Sequence, residues 1–183
     1  MRESDLYKPV AQFFEQRYEI ARKNTWTAGS GKDLSFPAGF GKRKPDVVAC
    51  NVHPRKPEVH LAEGKLLNIR THGFDETVNQ LDSFSRYADF LWAVFPSNSW
   101  ASAPTNHDWW KSQLRQRGYG LLLVDGGWAK PQFDALPNPV LTPKRKNLFL
   151  LRFSGTLTIR CPFRHWRPTP LQLPPMQLPG LPP

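Results

Sequence analysis

The stretch HLAEGKL, residues 60–66, places a carboxylate and an ammonium two positions apart at the end of an apolar run that is typical of a β-strand. Side chains two apart on a strand point to the same face, so Glu63 and Lys65 project together, and Gly64 between them leaves its backbone carbonyl approachable. A Glu-x-Lys pair is also common on a solvent-facing strand, where both side chains simply meet water. The pair alone therefore leaves a functional site and an exposed strand face as alternatives.

A second carboxylate, Asp46, follows Pro45 at the start of the β-branched run DVVACNV, residues 46–52. If the two strands pair through the turn HPRKPE at 53–58, positions 46 and 63 lie roughly opposite one another. Two carboxylates at that separation repel each other unless a cation lies between them. Such oxygen-rich sites suit Mg²⁺ (or Mn²⁺), which accepts one or two carboxylates and keeps several waters. Lys65 would then position the attacking water or offset charge in the transition state.

The remaining pattern alternates helical and extended segments. Helical spacing of apolar residues predicts helices, and β-branched or continuously apolar runs predict strands. Ser4 and Asp75 are the expected helix N-caps. The glycine-rich stretch 23–44 is interpreted as a loop or a hairpin. The predicted helices cover 4–19, 76–88 and 108–117, and the predicted strands cover 46–52, 59–67, 90–96 and 119–127. This order predicts an α/β fold with helices packed on a sheet.

Charge and composition divide the chain into two parts. Residues 1–143 hold 18 Lys/Arg against 15 Asp/Glu, whereas residues 144–183 hold 7 Lys/Arg, no acid and 8 of the 19 prolines. We therefore predict one domain over 1–143 and a basic, proline-rich tail over 144–183 that is extended or disordered. Because much of the basicity belongs to the tail, the net charge of +10 is a weak argument for nucleic-acid binding.

Cysteine usage and hydropathy bear on the compartment. Cys50 and Cys161 lie far apart and form no disulfide framework, which favours a reducing cytoplasm. The longest apolar run, FLWAVF at 90–95, is too short to span a bilayer, so no membrane association is expected. The sequence predicts a soluble cytoplasmic protein, and a homodimer stays open as its assembly.

Pro45-Asp46 followed by Glu63-Gly64-Lys65 resembles the signature of the PD-(D/E)xK nuclease superfamily. The helix and strand order after residue 75 is similar to the strand–helix–strand half of restriction-endonuclease-like domains, and the first helix is similar to the opening helix of compact bacterial members. The likeness covers residues 2–136. The resemblance implies a mixed central β-sheet flanked by helices, and a metal-dependent nuclease that hydrolyses phosphodiester bonds in DNA.

The resemblance implies that Asp46, Glu63 and the carbonyl of Gly64 ligate the metal and that Lys65 is the catalytic lysine. DNA versus RNA, endonuclease versus exonuclease, and a role in repair, restriction or recombination stay open. The alternative is a non-catalytic DNA- or protein-binding module on the same fold. A site that no longer catalyses a reaction should have lost at least one of Asp46, Glu63 and Lys65, so the presence of all three favours the enzyme.

The resemblance implies two further site residues, Gln80 and Glu3. Gln80 is similar to the glutamine that some members place near the site on the helix after the lysine strand. Those members often continue Gln-x-x-x-Tyr, whereas the tyrosine here is Tyr87, seven positions on, so only Gln80 is carried over. Glu3 is similar to the acidic ligand that many members supply from the first helix; its alternative is a surface carboxylate near a helix start.

Basic and aromatic residues complete the set of candidates. The run GKRK and the loop GSGK are expected to follow the phosphate backbone of DNA, with a solvated loop as the alternative. TAGSGK at 27–32 lacks the full phosphate-loop pattern, so no nucleotide cofactor is expected. Tryptophans 100, 109 and 110 could stack on bases, although Trp110 has the helical position of a core residue. The basic candidates are Lys32, Lys42, Arg43 and Lys44.

Overall fold

The computed structural model describes residues 1–28, 44–51, 57–67, 73–103, 107–139 and 141. The predicted tail at 144–183 lies outside these ranges. Within them, the strands are β1 (Thr25–Thr27), β2 (Val47–Asn51), β3 (Glu58–Gly64), β4 (Phe90–Pro96), β5 (Gly120–Asp125) and β6 (Trp128–Phe133). The helices are α1 (Tyr7–Arg17), α2 (Gly73–Phe84), α3 (Ser97–Ser102) and α4 (His107–Gln116). A 3₁₀ turn at Glu3–Leu6 precedes α1, and another at Arg22–Asn24 precedes β1.

The described strands form one mixed sheet in the order β1-β2-β3-β4-β5-β6. β1, β2 and β3 are antiparallel neighbours, β3, β4 and β5 run parallel, and β6 returns antiparallel to β5. The parallel steps are possible because α2 crosses between β3 and β4, and α3 and α4 cross between β4 and β5. The α/β fold expected from the order of elements is confirmed.

Both faces of the sheet are covered, which explains the continuously apolar strands. On one face, α1 packs through Val10 and Phe14 against Ala62 and Trp92. On the other face, α2 and α4 pack against alternate strand positions, which include Val48, Leu61, Ala93, Phe95 and Leu121. Because the side-chain period of a strand is two, neighbouring residues of one strand enter opposite layers.

The sequence missed three short elements. β1 falls in the stretch 23–44, whose glycines predict a loop or a hairpin, and β6 and α3 were not predicted. β6 exposes most of its side chains and contains Pro131, so it has no apolar alternation to recognise. Its turn was anticipated: Gly126 and Gly127 both have positive φ, 54° and 89°, which joins β5 to β6 as a tight hairpin.

The predicted N-caps were wrong. Ser4 lies inside the 3₁₀ turn Glu3–Leu6, so the chain is already helical before α1 begins at Tyr7. Asp75 lies in the first turn of α2, which starts two residues earlier at Gly73. Both residues still lie near the positive end of a helix dipole, but neither occupies the extended position from which a cap accepts its hydrogen bond.

Among the helices described, none combines the length and apolar composition that crossing a bilayer requires.

Candidate active site at the end of strands β2 and β3

The carboxylates of Asp46 and Glu63 meet at one edge of the sheet. β2 pairs antiparallel with β3 so that Val47 faces Ala62, which sets position 46 opposite position 63, as expected from the turn between them. The backbone N–H of Gly64 donates a 2.8 Å hydrogen bond to Oδ2 of Asp46. Glu63 continues the side-chain face of Leu61, which packs in the α2 layer. Asp46 precedes the first residue of β2, and its carboxylate also accepts a hydrogen bond from Tyr7 of α1.

Both carboxylates are buried, which rejects the alternative of a solvent-facing Glu-x-Lys strand. Asp46 is 8% exposed and Glu63 is 2% exposed. Oε2 of Glu63 is fully buried and has no hydrogen-bond partner among the described residues. An uncompensated buried carboxylate oxygen is costly, and such a group in a native fold calls for a cation or a proton.

The electrostatics of the pair agree with its burial. Burial, followed by the nearby charge of Asp46, raises the pKa of Glu63 to about 9. Burial also raises the pKa of Asp46, although hydrogen bonds from the Gly64 N–H and the Tyr7 hydroxyl favour its ionised form. In the metal-free protein the two groups therefore do not both ionise readily, and a divalent cation would relieve their repulsion.

Lys65 stands beside the pair and contacts three carboxylates. Its Nζ lies 3.4 Å from Oε2 of Glu3, 3.7 Å from Oε1 of Glu63 and 3.8 Å from Oε1 of Glu76. Partial burial lowers the pKa of the Lys65 ammonium, but the surrounding carboxylates outweigh this and raise it above its ordinary value. Lys65 is therefore held as a cation in the site, and Glu63 and Lys65 share a strand face as their spacing predicts.

Glu3 and Gln80 reach the site through other residues. Glu3 contacts the Lys65 ammonium from the 3₁₀ turn, and its side chain is 40% exposed. Gln80 donates a hydrogen bond of 3.3 Å from Nε2 to Oε1 of Glu76, which in turn contacts Lys65. The structure thus places Gln80 one residue away from the lysine rather than against it, and Oε1 of Gln80 is buried without a partner in the described part of the chain.

Two residues of this site were missed from the sequence. Tyr7 donates a hydrogen bond to the Asp46 carboxylate, and Glu76 bridges Gln80 and Lys65. A signal was available, because Tyr7 lies four residues after Glu3, and Gln80 lies four residues after Glu76. Side chains at that spacing share one side of a helix. The spacing could not show which side faces the sheet edge.

Gly64 leaves room at the centre of the site. A β-carbon at this position would lie 3.1 Å from Cδ1 of Leu6 and 3.7 Å from Oδ2 of Asp46. A methyl group here would therefore press on Leu6 and would touch the Asp46 carboxylate only at ordinary van der Waals distance. The Lys65 N–H continues the ladder by donating to the Val94 carbonyl at 3.1 Å.

The donor set fits a Mg²⁺ or Mn²⁺ ion that keeps part of its water shell. The two buried carboxylates and the orphaned Oε2 of Glu63 are the oxygen chemistry that such ions prefer. Across the described ranges, no three His, Cys, Asp or Glu side chains cluster closely enough to hold a metal by themselves. The remaining positions would therefore fall to backbone oxygen, water and substrate.

Three of the four residues predicted to contact phosphate lie outside the described residues: Lys32, Lys42 and Arg43. Lys44 lies within the described residues, is exposed, and precedes Asp46 by two positions. It is thus placed next to the site in sequence and open to solvent.

No protein-family model and no curated protein sequence matches the chain. Among solved structures, the chain is similar to the SPO1766 protein of unknown function from Silicibacter pomeroyi, with 16% identity and a TM-score of 0.53. The match covers 86% of this chain and 87% of that chain. At this identity the likeness shows only that the two proteins are similar in fold.

Proposed function

We propose that the chain is a divalent-metal-dependent nuclease that hydrolyses phosphodiester bonds in DNA, on a restriction-endonuclease-like version of the α/β fold. The observation that carries the proposal is the convergence of the buried Asp46 and Glu63 carboxylates with the Lys65 ammonium at one sheet edge. A solvated strand face would leave the same three groups apart or exposed.

In this proposal Asp46 and Glu63, with the carbonyl of Gly64, hold Mg²⁺ or Mn²⁺. When bound, the ion supplies a water of lowered pKa and stabilises charge on the phosphoryl oxygens. Asp46 is kept oriented by the N–H of Gly64 and the hydroxyl of Tyr7. Glu63 would offer its unpartnered Oε2 to the ion.

Lys65 acts on the phosphate and the attacking water. Its ammonium is positioned by Glu3 and Glu76, so it offsets negative charge that grows on the phosphoryl group in the transition state. Gln80 is a positioning residue that acts through Glu76. Lys44 and the basic residues before it supply sequence-independent affinity for the phosphate backbone.

The test is incubation of the full chain with plasmid, linear and branched DNA, with Mg²⁺, with Mn²⁺ and with EDTA. We expect metal-dependent cleavage that Asp46→Asn abolishes, because the substitution removes a charged ligand. Asp125→Asn is the matched control, since Asp125 is exposed at the β5–β6 turn away from β2 and β3. Cleavage that survives in Asp46→Asn rejects the proposal.

The second candidate is a non-catalytic DNA- or protein-binding module. The observation in its favour is that the described residues supply two clustered carboxylate ligands and no third. Calorimetric titration of the metal-free chain with MgCl₂ separates the two candidates. If the chain is a nuclease, it binds Mg²⁺ at millimolar concentration or below, and the Asp46→Asn variant loses this binding. A binding module on a retired site shows no such difference, and DNA stays intact.

A further inference from the structure

We propose that the Glu3 carboxylate holds the place of the scissile phosphate on Lys65 until substrate binds, so that the site takes a phosphate that belongs to a polynucleotide and rejects free mononucleotides. This inference rests on the proposed nuclease function and names the class of ligand that the lysine accepts. Two observations carry it. Glu3 is the carboxylate nearest to the ammonium, and its side chain is the one that is free to leave.

The Lys65 ammonium is surrounded by carboxylates. Its Nζ donates a 3.4 Å hydrogen bond to Oε2 of Glu3, whereas Oε1 of Glu63 and Oε1 of Glu76 lie farther away, at 3.7 Å and 3.8 Å. The Lys65 side chain is only 16% exposed, so little of the ammonium faces solvent. An ammonium has three N–H donors, and here it has three carboxylate neighbours. An incoming phosphate oxygen must therefore displace one of these carboxylates.

Two of the three carboxylates are held by a second feature. Glu63 is 2% exposed in the sheet, and Glu76 accepts a 3.3 Å hydrogen bond from Nε2 of Gln80, one helical turn further on. Glu3, in contrast, is 40% exposed. Among the described residues, Lys65 is the only hydrogen-bond or ion-pair partner of the Glu3 side chain. Glu3 is therefore the carboxylate that substrate displaces.

The backbone around Glu3 is fixed by its neighbours in sequence. Leu6 is fully buried beside Gly64, and the Tyr7 hydroxyl is hydrogen-bonded to the Asp46 carboxylate. Displacement of Glu3 therefore requires one side chain to rotate into solvent, and the residues that orient the proposed metal ligands stay in place. Rotamer changes of exposed side chains take picoseconds to nanoseconds, so this step does not limit binding.

The Glu3 carboxylate competes with every phosphate, because it is tethered beside the same ammonium. A ligand that needs an unoccupied Lys65 loses affinity in proportion to the fraction of molecules in which the lysine is occupied. For a partly exposed ion pair this factor is roughly 3 to 10. A polynucleotide offsets the factor through further phosphate contacts, such as the one proposed for Lys44. A mononucleotide has no such contacts, so free product does not stay on the lysine.

The experiment compares two probes in the Asp46→Asn background, where cleavage does not interfere. Fluorescence anisotropy follows a fluorescein-labelled DNA duplex of two helical turns, and calorimetry follows thymidine 5′-monophosphate, both at low salt with Mg²⁺. We expect Glu3→Gln to tighten the binding of both probes roughly 3- to 10-fold, because phosphate then meets an unoccupied ammonium.

Two comparisons make the result specific. Glu76→Gln removes the same charge at nearly the same distance from Nζ, so general electrostatic repulsion predicts equal tightening in the two variants. Displacement of Glu3 predicts instead that Glu76→Gln stays within about twofold of its parent. When Lys65→Met removes the ammonium, Glu3→Gln should no longer change the affinity for either probe.

Displacement of Glu3 is refuted if Glu3→Gln stays within about twofold of its parent or binds more weakly, or if Glu76→Gln tightens binding equally. It is also refuted if the gain persists in Lys65→Met, or if parent and variant bind neither probe. These failures are distinguishable from failure of the nuclease proposal. Cleavage that persists in Asp46→Asn rejects the nuclease, whereas unchanged binding by Glu3→Gln rejects only the displacement of Glu3.

Discussion

The backbone N–H of Gly64 binds Oδ2 of Asp46 at 2.8 Å, so the residue between Glu63 and Lys65 also orients the carboxylate from the neighbouring strand. This contact joins the two halves of the candidate site across the β2–β3 pair. It makes the position of Asp46 depend on strand register, because a slip by one residue would turn Glu63 to the opposite face of the sheet.

Glu63→Gln should stabilise the metal-free protein while it abolishes metal-dependent activity. Because folding raises the pKa of Glu63 from its ordinary 4.5 to about 9, the protonated form is favoured in the folded state. This contribution to stability is complete below about pH 4.5 and is lost as the pH rises toward 9. At pH 7 the folded protein holds Glu63 protonated whereas the unfolded chain ionises it, and this costs at most about 3 kcal/mol of stability, which a neutral glutamine avoids.

Urea denaturation in EDTA at pH 5, 7 and 9 measures this difference. The free energy of unfolding of Glu63→Gln, relative to wild type, should increase with pH, and Asp125→Asn should follow wild type. Equal stabilities of Glu63→Gln and wild type at pH 9 would show that the carboxylate is not strained by burial.

Lys65→Met should lower the rate of DNA cleavage by about 100-fold or more while Mg²⁺ binding persists. The ammonium is proposed to act on the developing phosphoryl charge, and loss of one such electrostatic contact typically costs two to three orders of magnitude. Single-turnover cleavage at saturating Mg²⁺ gives the rate, and calorimetry gives the affinity for the ion. Loss of Mg²⁺ binding together with activity would assign Lys65 a structural role instead.

Tyr7→Phe should weaken Mg²⁺ binding by about tenfold, because the hydroxyl that orients Asp46 is removed. Tyr119→Phe is the matched control: its hydroxyl donates to Asp82, a tyrosine–aspartate pair at the far end of α2. Each substitution should lower stability by about 1 kcal/mol. Isothermal calorimetry should find reduced affinity in Tyr7→Phe alone, and an equal reduction in both variants contradicts the assignment.

Gly120→Ala should destabilise the fold more than Gly64→Ala. A β-carbon at position 120 would lie 2.7 Å from the backbone nitrogen of Ala135 and would also overlap the Trp92 ring, so a strand or a buried ring must shift. At position 64 the nearest atom is the movable Cδ1 of Leu6 at 3.1 Å. We expect about 1–3 kcal/mol for Gly120→Ala and less for Gly64→Ala, measured by urea denaturation. The reverse order would contradict this packing.

The missed elements show where sequence patterns lose information. The long helices and buried strands are recognisable because apolar side chains repeat with the period of the element that buries them. β6 carries Lys130 and Pro131 on an exposed edge, so only its pairing with β5 makes it a strand. β1 is three residues long, and its identity depends on the register with β2.

The sequence alone determined that Glu63 and Lys65 share a face, and it indicated that Asp46 lies across from them, because side-chain alternation and a short turn are local properties of the chain. Only the tertiary structure decided that this face is buried, that Oε2 of Glu63 has no partner in the described residues, and that Tyr7 and Glu76 complete the site. Burial and contact across the sheet edge depend on how α1 and α2 pack against β2 and β3. That packing is set by the summed fit of both apolar layers, which no local pattern encodes.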